Sequence, residues 1–207
     1  MSKNKINIGI LSCSVYVAAQ LIANVLSVKI VLLPLVNLAV DGGTIIYPVT
    51  FTLRDFVHKT WGKKNARQVV VIAGLLNLVM VFFFWLVGKL PSDPSWANQE
   101  AYRIILLPVF RIVIASIAAQ ILSELVDTEI FSVIYKKVSD TLAVLVSNFV
   151  SLLVDSFIFS FAAFWGDLPL VTVLQIMIAN ILIKFIISII SVPSIKLVPR
   201  TVDFNEI

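Results

Sequence analysis

Apolar residues along this chain gather into long runs, interrupted at helical intervals by single polar residues. That is the pattern of helices crossing a bilayer, which need about 20 mainly apolar residues each. Runs of this kind occupy residues 8–27, 69–87, 104–125, 141–165 and 170–190. Residues 30–57 form one further, interrupted run: apolar from Ile30 to Val40 with Pro34 inside, then Asp41-Gly42-Gly43, then apolar again to Val57 with Pro48 inside. Two half-length pieces around a polar glycine pair predict a broken second helix. Irregular backbone at membrane depth persists only where protein or a cavity covers it, and broken helices often carry the binding site of a transporter. The competing interpretation is a re-entrant or surface loop before a short helix. The expected architecture is all-α, a polytopic membrane protein with six transmembrane helices, in one domain over residues 1–207 because no linker is long enough to divide it.

Composition agrees with a membrane location. The hydrophobic fraction is 59% and charged residues are 14%, against about 25% charged in soluble domains. Mean hydropathy is +1.01. The first run follows Lys3 and Lys5 and could imitate a signal peptide, but Tyr16, Gln20 and Asn24 inside it and the further runs behind it favour a permanent span.

The distribution of cations sets the expected orientation. Lys3, Lys5, Arg54, Lys59, Lys63, Lys64, Arg67, Lys136, Lys137, Lys196 and Arg200 would share one side, with only Lys89 and Arg103 on the other. By the positive-inside tendency this places both termini in the cytoplasm of a multi-pass cell-membrane protein, the inner membrane in a Gram-negative cell. The basic cluster at residues 63–67 then faces anionic membrane lipid rather than nucleic acid.

Polar residues inside the runs are costly, so their arrangement carries information. Gly9, Cys13, Tyr16, Gln20, Asn24 and Ser27 share one helical face of the first run. Ser116, Gln120, Ser123 and Asp127 share a face of the fourth; Ser147, Ser151 and Asp155, with Asn148 at the edge, share one of the fifth; Asn180 and Lys184 stand one turn apart on the sixth. Helix-to-helix packing accounts for the serines. It accounts poorly for Asp155 and Lys184 near mid-span, where an isolated charge costs about 2.5–3.5 kcal/mol on insertion scales. These two are expected to pair or to face water around a cavity. Arg111 falls off its helix's polar stripe and is expected either to meet an acid such as Asp41 or to snorkel to the surface. Residues 123–132 also echo residues 151–160, aligning Asp127 with Asp155, either as a relic of duplication, as two spans shaped for one cavity, or by chance.

Function classes narrow further. One Cys and one His exclude an internal disulfide and paired-ligand zinc sites. No nucleophile elbow, phosphate loop or dinucleotide fingerprint occurs, so neither an enzyme nor a cofactor is expected. The remaining readings are a stand-alone transporter, a substrate-binding subunit of a separately energised complex, and a structural membrane protein. Homo-oligomerisation stays open. For a solute, Gln20, Asn24, Gln120, Asn148 and Asn180 offer amides, Asp155 and Asp127 carboxylates, and Tyr16, Tyr47 and Phe51 aromatic surface. Amides and a carboxylate suit the donor–acceptor edge of a heterocycle, and rings can stack on its face. Few cavity cations remain for a phosphorylated ligand.

The chain resembles the vitamin uptake transporter family, which includes queuosine precursor transporters. The resemblance rests on Asn24 followed by Lys29, Gly43 with Tyr47-Pro48, Thr50-Phe51, Arg54-Asp55 and Gly62-Lys63-Lys64. It continues through Arg111 with Ser116, residues 123–127, Ser147-Asn148, residues 155–159 and Phe164. It implies import of a small planar heterocycle, in the best-known members a 7-deazaguanine. It adds Lys29, Asp55 and Arg111 to the expected substrate-binding set. Queuosine-type members usually carry a glutamate where this chain has Lys59.

Overall fold

The computed structural model describes residues 7–34, 36–135 and 140–194. Its first helix, α1 (Ile8–Leu26), is capped by Asn7, whose side chain accepts from the amides of Gly9 and Ile10. This satisfies two N–H groups that have no partner inside the helix. A short antiparallel hairpin follows, β1 (Ile30–Leu33) with β2 (Leu38–Asp41), pairing Ile30 with Asp41 and Leu33 with Leu38. A 3-10 turn over Gly42–Ile45 leads into α2 (Tyr47–Lys89). Then come the short α3 (Gln99–Leu106), α4 (Val109–Tyr135), α5 (Asp140–Phe164) and α6 (Leu170–Ser194).

Within this mostly helical chain the hairpin corrects one expectation, the first half of the broken second helix. Ile30–Leu33 and Leu38–Asp41 are two strands, not a half-helix. Pro34 removes a helical donor and clashes with the preceding turn. Asn37, at φ 53, takes the left-handed conformation that closes the turn, and its amide donates to the Leu33 carbonyl at 2.8 Å. The second strand is the covered one: Ala39, Val40 and Asp41 are buried, while Leu32 of the first strand and Val36 of the turn are exposed. Ala39 joins a core with Ile112 and Ala115 of α4, Ala163 and Phe164 of α5, and Val173 and Ile176 of α6.

The interruption expected around residues 41–43 is accompanied by a second one. Gly62, at φ 83 and ψ 167, divides α2 into two helices, a conformation that costs glycine little. Trp61 beside it packs against Gly9, where an added Cβ would lie 2.4 Å from the indole. Residues 47–61 thus run alongside α1, and the chain turns back into a long apolar helix.

Among the described residues, four helices are long and apolar enough to cross a membrane: Ile8–Leu26, Lys64–Lys89, Gln99–Val126 and Leu170–Ile187, with Phe149–Phe164 a shorter apolar helix. Lys64–Lys89 is strongly apolar yet largely unburied by the rest of the chain. Val71, Leu75, Val79, Phe82 and Phe83 lie exposed along it. Long helices with so large an exposed apolar surface are consistent with lipid against them, and the architecture is that of a mostly helical polytopic membrane protein. Tyr102 of α3 donates to the Phe84 carbonyl at 3.1 Å and so ties the connector to the helix before it.

Candidate functional site

A partly open cavity lies where the foot of the hairpin meets the helices. Asn24 and Ser27 enter it from the last turns of α1, and Asp41, Gly43 and Thr44 from the hairpin foot and 3-10 turn. Ser116 comes from α4, Asp155 and Phe159 from α5, and Asn180 and Lys184 from α6. The glycine pair makes this convergence possible. A Cβ on Gly43 would lie 2.3 Å from the Ala23 carbonyl, and one on Gly42 2.6 Å from that of Leu26. Only bare backbone fits so closely against the end of α1.

The polar side chains form a line through the cavity. Lys184 pairs with Asp155, their side chains only 5% and 15% exposed. Each charge offsets part of the desolvation cost of the other, and breaking such a pair is costly once it is buried. Asn180 stands one turn from Lys184 on the same face of α6, about 6 Å along the axis, and meets Thr44. The Thr44 hydroxyl and amide, at 2.7 and 3.2 Å, donate to the two oxygens of Asp41, and Ser27 donates to Asp41 at 2.7 Å. Asp41 is 1% exposed.

A second crevice shares Asn24 and Ser116 with the first and continues past Tyr16, Gln20, Asn77 and Gln120. Asn24 donates to Asn77 at 2.7 Å, and Asn77 donates to the Ala73 carbonyl at 2.9 Å. Gln20 donates to the Tyr16 hydroxyl at 3.2 Å. The polar faces of α1 and α4 therefore meet across one crevice, and directional amide groups line it.

Gln20, Asn24, Gln120, Asp155 and Lys184, all expected from the sequence, are thus brought together around these two spaces. Arg111 is not. It donates to the carbonyls of Ala162 and Trp165 and pairs with Asp167 at 2.7 Å. It thereby caps the end of α5, where unpaired carbonyls and the helix dipole favour a cation. Its acid is Asp167 rather than Asp41. The Lys29 side chain is exposed and lines neither space. Tyr47, Phe51, Asp55, Asp127 and Asn148 sit on helices, but their side chains lie outside the described residues.

Ser116 comes from the polar stripe read on its helix, whereas Asp41, Asn77 and Phe159 join the site without having been chosen for it from the sequence. The signal for Asn77 was available, as a lone amide inside a very apolar run. That for Asp41 was obscured because a polar residue beside two glycines reads first as a turn. Among the described residues no three His, Cys, Asp or Glu side chains cluster as metal ligands.

No solved structure matches the chain significantly. The family model "Putative vitamin uptake transporter" matches residues 41–198. A Bacillus subtilis protein named "Probable queuosine precursor transporter" is 32% identical over 181 residues, covering 84% of this chain and 77% of its own length. A Haemophilus influenzae protein of the same name is 26% identical over 123 residues, covering 59% of this chain and 51% of that relative. The matched region carries the hairpin foot, the cavity side chains of α4, α5 and α6, and the apolar helices around them. On these grounds the chain belongs to the vitamin uptake transporter family and is a multi-pass membrane transporter, not an enzyme.

Proposed function

We propose that this transporter imports a queuosine precursor of the 7-deazaguanine type, 7-cyano- or 7-aminomethyl-7-deazaguanine, and binds it between Asp155 and Lys184. The observation that carries the reading is this ion pair on the wall of a cavity also lined by Asn24, Asn180 and Ser116. The polar edge of a guanine-type ring offers one carbonyl acceptor beside two N–H donors. An ammonium donates and a carboxylate accepts in pairs, so Lys184 suits the carbonyl and Asp155 the two N–H groups. The ligand replaces the internal pair without leaving either charge bare. Phe159 supplies an aromatic face for stacking. Among the described residues lining the cavity two carboxylates, Asp41 and Asp155, stand against the single cation Lys184, which opposes a phosphorylated ligand.

The names of the two relatives support this substrate class. Gln20 and Gln120 extend the site along the second crevice, and Tyr47, Phe51, Asp55, Asp127 and Asn148 remain candidates for it from the sequence. The hairpin with residues 47–61 serves as the second of six crossings, and both termini face the cytoplasm of the cell membrane.

The test is restoration of queuosine in tRNA of a strain that lacks its own precursor synthesis and importer, supplied with either labelled deazaguanine. Queuosine is expected to reappear. Its absence in cells with ample folded protein would reject this substrate while leaving membership of the transporter family intact.

A further inference from the structure

Asp41 is a buried carboxylate whose partners are all neutral. It accepts from Ser27, from the Thr44 hydroxyl and from the Thr44 amide. No described Lys or Arg nitrogen lies within ion-pair distance of it, and Lys184 is held by Asp155. The carboxylate also faces the C-terminal end of α1, which adds partial negative charge. The Ala23 carbonyl of that turn lies against Gly43.

Its surroundings are rich in oxygen and poor in protons. Thr44 has one hydroxyl proton but touches oxygens of both Asp41 and Asn180. Ser27 has one but reaches both Asp41 and the Ala23 carbonyl. Turning the Asn180 amide around would supply one more donor, yet no positive charge. Asp41 also caps the 3-10 turn. Capping alone does not account for the choice of residue, because a neutral asparagine caps equally well.

We infer that Asp41, Ser27, Thr44 and Asn180 form a binding site for a monovalent metal cation, Na⁺. One carboxylate with hydroxyl and amide oxygens suits a hard cation of single charge. An irregular segment beside a helix C-terminus is where transporters hold such ions. The ion lies one turn of α6 from Lys184, so the cation and the solute pair share one helix face.

Binding does not depend on which solute the chain carries, so the test separates the two proposals. The purified full-length chain in detergent is assayed for radioactive sodium in competition with NaCl, KCl or choline chloride at fixed ionic strength. Saturable binding is expected, displaced by NaCl and not by the other salts. Asp41→Asn keeps the cap and removes the charge, and is expected to abolish binding while the protein stays monodisperse. Ser27→Ala, a milder change should that variant fold poorly, is expected to weaken binding about tenfold. Asp93→Asn, in the exposed connector, is expected to bind as the unaltered chain does. No saturable sodium binding, equal displacement by potassium, or unchanged binding in both Asp41→Asn and Ser27→Ala would overturn the site. Thermal stabilisation by acid alone, with no response to sodium, would show that Asp41 carries a proton instead and would overturn it equally.

Discussion

Lys184 on α6 and Asp155 on α5 meet inside the bundle, 29 residues apart in sequence, with both side chains largely shielded from solvent. Removing one partner leaves a bare charge in a low-dielectric setting, at a cost of about 3–5 kcal/mol. Lys184→Met alone is therefore expected to lower the melting temperature in detergent sharply. Lys184→Met combined with Asp155→Asn is expected to recover most of that loss while uptake stays absent. A double variant no more stable than the single one contradicts the pairing.

Arg111 is expected to act on stability rather than on solute recognition. Its guanidinium holds the last carbonyls of α5 and Asp167, and both side chains of the ion pair are substantially exposed, at 38% and 67%. Arg111→Ala should cost roughly 1 kcal/mol, because solvent screens an exposed pair. The KM for uptake should stay unchanged. A large rise in KM with unaltered stability would return Arg111 to the solute site.

Two glycines should respond to alanine in opposite ways. At Gly43 the new methyl group meets the Ala23 carbonyl at 2.3 Å and the Ser27 hydroxyl at 2.1 Å, so the hairpin foot must move off α1. Gly43→Ala is expected to reduce both folded yield and uptake. At Gly74 nothing lies within 4 Å of the added carbon, and Gly74→Ala should gain up to about 1 kcal/mol of helix propensity. Thermal melts of the two variants side by side check the contrast.

The proposed topology has a direct readout. Reporter fusions at Asp93 and after Ile207 are expected on opposite sides of the membrane, with the Ile207 fusion cytoplasmic. Finding both on one side contradicts six crossings with cytoplasmic termini.

The helices and part of the polar lining of the cavity were legible because each is written locally. The polar stripe of α1 needs only its own spacing, and Asp155 and Lys184 announce themselves as charges in apolar runs. Residues 30–41 were not legible as a hairpin, since a short apolar run does not distinguish strand from helix by hydropathy. The partners of Arg111 lie 51 to 56 residues further on, at the end of another helix, and nothing near Arg111 points to them. Asp41 likewise gains its meaning only when Ser27 and Asn180 arrive from α1 and α6.

The central claim is that a deazaguanine crosses the membrane by way of the Asp155–Lys184 cavity. The most direct measurement is uptake of labelled 7-cyano-7-deazaguanine by cells lacking other importers, comparing the unaltered chain with Asp155→Asn at equal amounts of folded protein in the membrane. Saturable uptake by the unaltered chain, with a loss of about a hundredfold or more in Asp155→Asn, is the expected result, since an unpaired Lys184 and a lost double acceptor both act against binding. Undiminished uptake by Asp155→Asn would contradict it.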